Sequence, residues 1–201
     1  MSIYNFAPFA DESGKETHYA YWENGFSESE ISDIIKVGES KIIAPAVVGY
    51  DEQGKEVPEI RTSKVSWLGY NDIPWLYDRM SFIARKLNGQ YFQFDLTGFN
   101  EDFQYTVYNG ENAGHYDWHV DKGYTTSGFP PRKLSLVLTL SDPEEYEGGD
   151  LMLQGDNGIE TVKPGKGIVH AFPSYVLHKV TPVTKGTRRT IVVWISGPKF
   201  K

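Results

Sequence analysis

Nine short runs rich in β-branched and aromatic residues occupy the chain from Gln90 to its end, and they restrict its fold more than any other feature. Gly, Pro, Asn and Asp separate the runs, as is typical of strands joined by turns. The runs are residues 91–96, 103–108, 115–121, 133–140, 149–154, 159–162, 167–172, 175–180 and 188–196. Many short strands at this spacing predict a sandwich or barrel.

The first ninety residues carry helical signals instead. Ser27, with Glu30 three residues later and apolar residues at helical spacing, predicts a helix over 27–40. A longer helix is predicted over 71–88, and a strand over 41–48. Helices before strands are typical of helices packed on one side of a mainly antiparallel sheet. We therefore predict one domain over residues 1–201, mainly β, with an N-terminal buttress (1–90) and a β core (91–201).

Composition excludes several classes of function. Asp and Glu outnumber Lys and Arg by 27 to 20, giving a net charge of −7, so nucleic acid is not an expected partner. No apolar run approaches the roughly 20 residues that cross a bilayer, and the N-terminus lacks a secretory signal, so we expect a cytoplasmic protein without a membrane partner. The chain has no cysteine, so histidine and carboxylate would have to hold any metal.

Four polar residues alternate in one predicted strand: His115, Asp117, His119 and Asp121. Alternate residues of a strand share a face, which here is either a solvated edge or part of a metal site. His178 and then Arg188, ten residues later across a predicted turn at 184–187, favour the metal site. One face of an octahedral Fe(II) can be bound by two residues at i and i+2 of a strand together with a third residue from a neighbouring strand. An arginine, with its forked guanidinium, can hold a dicarboxylate.

With these residues the sequence resembles the Fe(II)- and 2-oxoglutarate-dependent oxygenases of the prolyl 4-hydroxylase type, and most closely the PKHD-type hydroxylases of bacteria and phages. Similar segments include 114–121, 132–135, 146–151 and 178–183, and the resemblance spans about residues 70–197. It implies a double-stranded β-helix, that is, a jelly-roll or cupin-like barrel of eight strands with the N-terminal helices on one side.

The resemblance also implies roles for individual residues. His119, Asp121 and His178 match the iron ligands, and Arg188 matches the residue that holds the C5 carboxylate of 2-oxoglutarate. Tyr108 and Thr139 match positions that contact the same co-substrate.

Strand alternation leaves two choices open, since His115 and Asp117 form a second His-x-Asp pair and Arg189 follows Arg188. The family register favours the pair at 119 and 121 and leaves His115 as a cavity-wall or hydrogen-bonding residue. The spacing from His178 favours Arg188. We interpret His170 as a core histidine with satisfied hydrogen bonds.

The implied activity is hydroxylation of an unactivated C–H bond at an Fe(II) centre, with 2-oxoglutarate and O2 consumed in the family manner and succinate and CO2 released. A peptidyl residue such as proline, in a protein or peptide, is the expected substrate, and ascorbate is the reductant that could keep the iron reduced. The alternatives are a non-catalytic jelly-roll module that binds a ligand, and another cupin-type metalloenzyme. Loops 50–61 and 122–132 are predicted to form a lid.

Overall fold

The computed structural model describes residues 18–48, 55–122 and 130–199, which contain two α-helices and thirteen strands. The helices are α1 (Glu28–Ser40) and α2 (Pro74–Leu87). The strands are β1 (Ala20–Trp22), β2 (Ala44–Pro45), β3 (Arg61–Thr62), β4 (Lys64–Leu68), β5 (Phe103–Asn109), β6 (His115–His119), β7 (Arg132–Thr139), β8 (Tyr146–Gly148), β9 (Leu151–Gly155), β10 (Gly158–Thr161), β11 (Val169–Pro173), β12 (His178–Val180) and β13 (Val183–Ser196).

The strands form two antiparallel sheets that face each other. One sheet has the order β1-β11-β7-β13-β5-β4-β2, with β8 also paired to β13, and the other has the order β10-β9-β12-β6-β3. Apolar side chains from both sheets meet in one buried cluster, in which Val137 and Phe172 of the large sheet join Leu151, Leu153 and Val180 of the small one. The prediction of a double-stranded β-helix is confirmed.

The two helices cover the outer face of the large sheet. Strand β7 shows how the sequence specifies this: Leu134, Leu136 and Leu138 are fully buried against the helices, while Ser135 and Val137 alternate with them and face the barrel interior. Burial of apolar surface on both sides of one sheet is the main force that holds the layers together. The predicted buttress of helices on one side is therefore confirmed.

Both predicted helices are present. Helix α1 begins after Ser27, whose hydroxyl accepts a hydrogen bond from the Glu30 N–H while the Glu30 carboxylate accepts one from the Ser27 N–H. This reciprocal capping box satisfies two backbone donors that the first turn leaves free. Helix α2 begins at Pro74, where the missing N–H of proline costs nothing.

The strand predicted over residues 91–96 is wrong. Helix α2 continues into one wider turn over Asn88–Phe92, and Gln93 then takes a left-handed conformation with φ of 53°. The Asn88 amide donates to the Phe94 carbonyl at 2.9 Å and accepts from the Phe94 N–H at 3.0 Å, which replaces the pairing of a strand. Phe92, Phe94 and Leu96 pack against the helical core, so the alternation of apolar residues anchors an irregular segment.

Two other predicted segments differ from the structure. The strand predicted over 41–48 is reduced to the edge strand β2, which contains Pro45. The turn predicted at 184–187 is instead part of β13, where β8 pairs with it and Gly186 adopts a φ of 70°. Within the predicted lid loops, residues 50–54 and 123–129 lie outside the described residues, so the lid stays a prediction, as does the division into buttress and core at residue 90.

Candidate metal centre and its cavity

Three potential metal ligands from the small sheet lie together. His119 ends β6, Asp121 follows two residues later, and His178 begins β12, directly opposite His119 in the strand register. One ligand atom from each residue lies within 4.8 Å of the other two. The Nε2 atoms of His119 and His178 are 3.8 and 3.6 Å from the carboxylate oxygens of Asp121. The structure thus brings together the three residues that the sequence predicts as iron ligands.

Hydrogen bonds orient all three side chains. The Nδ1–H of His119 donates to the Asp117 carbonyl at 2.8 Å, and the Nδ1–H of His178 donates to the Val176 carbonyl at 3.0 Å. A carbonyl only accepts, so each ring keeps its proton on Nδ1 and turns the Nε2 lone pair toward Asp121. Partners of this kind fix ring orientation and tautomer in metal sites.

Ser135 orients the carboxylate of the trio. Its hydroxyl donates to Asp121 Oδ2 at 2.7 Å and lies 2.9 Å from the Ser174 hydroxyl. The carboxylate therefore has a fixed direction before any metal binds.

The charges of the trio suit a divalent cation. Burial, together with the nearby His178, lowers the pKa of His119 to about 3, so that ring is neutral near pH 7. Burial alone would raise the pKa of Asp121, but His178, His119 and Arg132 outweigh it and the pKa is lowered. A neutral imidazole and an ionised carboxylate are the forms that bind metal, and two nitrogens with one oxygen on one face leave the opposite face for other ligands. The residues fit Fe(II).

The trio opens on a cavity of about 680 Å³ between the two sheets. Arg188 and Tyr108 are paired in the β13–β5 register and both line this cavity, with the guanidinium carbon 5.5 Å from the tyrosine ring centroid. Arg188 is 3% exposed and forms no ion pair within the described part of the chain. Gly149 leaves room for the Arg188 side chain, because a Cβ at position 149 would lie 2.9 Å from Arg188 Cδ. A buried, uncompensated guanidinium is suited to bind a carboxylate from a ligand.

Thr139 does not line the cavity in the way its predicted role requires. It is buried and paired with Thr190 in the β7–β13 register, but Thr190 lines the cavity and Thr139 does not. Within the described residues, the Thr190 hydroxyl and the Trp194 indole N–H are both buried without a hydrogen-bond partner. Sequence reasoning missed Thr190, although its even spacing from Arg188 places both on one face of β13. The orphaned Thr190 hydroxyl, two residues from Arg188, fits a polar ligand.

The remaining candidate residues lie elsewhere. His115 bonds to the Ala113 and Glu59 carbonyls, at 2.9 and 3.4 Å, and does not line the cavity. Arg189 points to the outer face, where its Nε–H donates to Glu39 of α1 at 3.1 Å. His170 is buried and lies outside the trio, as expected of a core histidine, but within the described residues neither ring nitrogen forms a hydrogen bond of normal geometry.

Comparison with known proteins shows which family this part of the chain resembles. Residues 103–196, which carry the trio and Arg188, match the model of the 2OG-Fe(II) oxygenase superfamily. This segment is therefore similar to a 2OG-Fe(II) oxygenase domain. A PKHD-type hydroxylase of Gloeothece citriformis is 40% identical over 82 residues, which are 41% of this chain and 37% of the relative. One of Pseudomonas putida F1 is 40% identical over 86 residues, 41% of this chain and 38% of the relative. The match thus spans under two fifths of these relatives' length.

Solved structures confirm the architecture of the fold. A prolyl hydroxylase from Trichoplax adhaerens, in complex with a peptide fragment of the hypoxia inducible factor oxygen degradation domain, superposes with a TM-score of 0.74 at 18% identity and covers 90% of this chain and 84% of its own. A Pseudomonas putida prolyl-4-hydroxylase gives 0.69 at 18% identity, over 90% and 94%. Among the described residues, no helix has the length and apolar character needed to cross a membrane.

Proposed function

We propose that this protein is an Fe(II)- and 2-oxoglutarate-dependent dioxygenase that hydroxylates an unactivated C–H bond of a peptidyl residue, with proline as the first candidate, and releases succinate and CO2. The observation that carries the proposal is the placement of His119, Asp121 and His178 in the same cavity as Arg188, a buried cation with no carboxylate partner within the described ranges.

Each residue of the site has a physical task. His119, Asp121 and His178 would hold Fe(II) on one face, and the hydrogen bond from Ser135 keeps the Asp121 carboxylate in place. Arg188 would hold the C5 carboxylate of 2-oxoglutarate through two parallel N–H···O bonds, with Tyr108 packed against it. The chemistry that Fe(II) and 2-oxoglutarate supply when bound is the activation of dioxygen. Thr139 keeps a proposed role only as a buried neighbour of this pocket.

The cavity wall supports a peptide substrate. Trp67, Trp118 and Trp194 line the cavity, and the guanidinium of Arg132 lies 3.7 Å from the Trp194 ring centroid. Flat aromatic walls suit an apolar ring such as that of proline, and they exclude water from the oxidising centre. The complex of the Trichoplax enzyme with a peptide supports the same substrate class.

The alternative functions have less support. A non-catalytic binding module would need neither a complete, preoriented His-Asp-His trio nor the charge state that metal binding requires. Cupin enzymes of other classes usually use more histidines, and within the described residues the trio is the one cluster of this kind.

The test is the formation of succinate from 2-oxoglutarate by purified protein with Fe(II), O2 and ascorbate, in the presence of proline-containing peptides followed by mass spectrometry. We expect succinate formation that depends on Fe(II), and a peptide that gains one oxygen atom derived from ¹⁸O2. Omitting ascorbate should shorten the active lifetime. Absence of succinate from an iron-loaded, folded protein across a broad peptide pool would refute the dioxygenase proposal.

A further inference from the structure

A second, smaller cavity of about 190 Å³ adjoins the first one. It lies along β2 and β4, at the edge of the large sheet. Four residues line both cavities: Val47, Arg61, Trp67 and Gln104. The smaller cavity, hereafter the β2 groove, therefore shares part of its wall with the metal-centre cavity.

The β2 groove presents large apolar side chains to solvent. Ile42 is 92% exposed, Val47 is 49% exposed and Trp67 is 44% exposed, and all three line the groove. Scattered apolar residues are normal on a surface, but a contiguous group beside a cavity marks a site that binds another molecule.

A short, rigid path joins the groove to the metal trio. The Tyr116 ring stacks on His119 with centroids 3.5 Å apart, and the Arg61 guanidinium lies 4.5 Å from the Tyr116 centroid. Arg61 is held by hydrogen bonds of 2.8 Å to the Ser63 hydroxyl and 2.9 Å to the Gln104 amide oxygen. These two contacts together span roughly 8 Å, and an extended peptide advances about 3.3 Å per residue, so about two to four peptide residues separate the groove from the metal trio.

Side-chain contacts are favoured over strand pairing at the groove. Strand β2 lies at one end of the large sheet's described order, where an added strand could pair with it. However, Pro45 has no N–H to donate at this edge, which weakens such pairing. An apolar side chain that fills the groove against Ile42 and Trp67 would gain affinity there without strand pairing.

We propose that the β2 groove binds an apolar side chain of the peptide substrate, two to four residues from the residue that is presented to the metal centre. This inference rests on the proposed function, because the position of the apolar side chain is defined relative to the residue that the enzyme would hydroxylate. Its support is the wall that the groove shares with the metal-centre cavity, together with the exposure of Ile42, Val47 and Trp67.

The experiment measures binding, so it does not depend on turnover. Fluorescein-labelled nine-residue peptides carry a central proline in a Gly/Ser background, with one leucine moved through every other position, and fluorescence anisotropy gives the Kd. We expect leucine at a position two to four residues from the proline, on one side, to tighten binding about tenfold over serine. Ile42→Asp should abolish that preference. Ile159→Asp is the matched control, since Ile159 is 58% exposed on β10 and lines neither cavity.

Several results would overturn the inference. Equal affinities for all peptides would do so, and so would equal effects of Ile42→Asp and Ile159→Asp on the leucine preference. If Ile42→Asp folds poorly, Ile42→Ser is the second variant. Dissociation of a homodimer by Ile42→Asp in light scattering would assign the groove to a second copy and would also overturn it. Succinate assays on wild type separate the two proposals: turnover without a leucine preference refutes only the groove, and a leucine preference without turnover refutes only the dioxygenase.

Discussion

Replacing Arg188 separates co-substrate binding from metal binding. The side chain is 3% exposed, lines the cavity and has no ion pair among the described residues, so a bound carboxylate would be its main partner. Arg188→Lys keeps the charge but loses the fork of two parallel bonds. One hydrogen bond to a charged group contributes about 1.5–3 kcal/mol, so the Kd for 2-oxoglutarate should rise about tenfold to a hundredfold. Arg188→Met should weaken binding further, because the carboxylate would be buried without a counter-charge.

The assay is an anaerobic titration of the iron-loaded variants with 2-oxoglutarate, following the visible charge-transfer band expected when the keto acid chelates Fe(II). Iron content should stay at the wild-type level in every Arg188 variant. Arg189→Met is the control, since Arg189 bonds to Glu39 on the outer face of the sheet. The reasoning would be refuted if Arg189→Met weakened binding while Arg188→Met left it intact.

Three further predictions concern single buried side chains. Thr190→Val should raise the Kd for 2-oxoglutarate about twofold to tenfold in the same titration without lowering the melting temperature, because the hydroxyl has no hydrogen-bond partner among the described residues. An unchanged Kd would contradict this prediction. Leu136→Ala should lower the free energy of unfolding by about 2–5 kcal/mol in urea denaturation, whereas the exposed Ile159→Ala should change it by no more than about 0.5 kcal/mol. Burial and the nearby Arg188 lower the pKa of His170 to about 4. As the pH falls, the unfolded chain therefore binds the proton before the folded chain does. The free energy of unfolding should fall by up to about 3 kcal/mol between pH 6.5 and pH 4. His170→Phe should remove that part of the pH dependence. The prediction would be refuted if urea denaturation gave the same profile for His170→Phe as for wild type between those pH values.

Local signals were sufficient for most of the fold. The Ser27 cap and the apolar stripe after it predict α1, and the alternation of leucines in β7 predicts a strand between two layers. The segment 91–96 has the same alternation, but there the Asn88 side chain replaces strand pairing, and no local pattern distinguishes the two cases. Short edge strands such as β2 and β3 depend on partners distant in sequence, so composition does not reveal them.

The metal ligands of the site could be predicted from the sequence, whereas the residues that line the cavity wall were harder to predict. Spacing places His119 and Asp121 on one face, but only the β12–β6 register sets His178 opposite His119. Alternation shows that Thr139 and Thr190 both face inward without showing which one the cavity reaches. Depth within a barrel depends on how the two sheets close, which is a property of the whole chain.

The iron content of single-ligand variants is the most direct test of the metal centre. Protein loaded with Fe(II) under anaerobic conditions and then desalted is analysed for wild type, His119→Ala, Asp121→Ala, His178→Ala and His115→Ala. We predict about one iron per chain for wild type and for His115→Ala, whose ring bonds to backbone carbonyls away from the trio, and little iron in the other three. Retention of iron by His119→Ala together with its loss from His115→Ala would contradict the account.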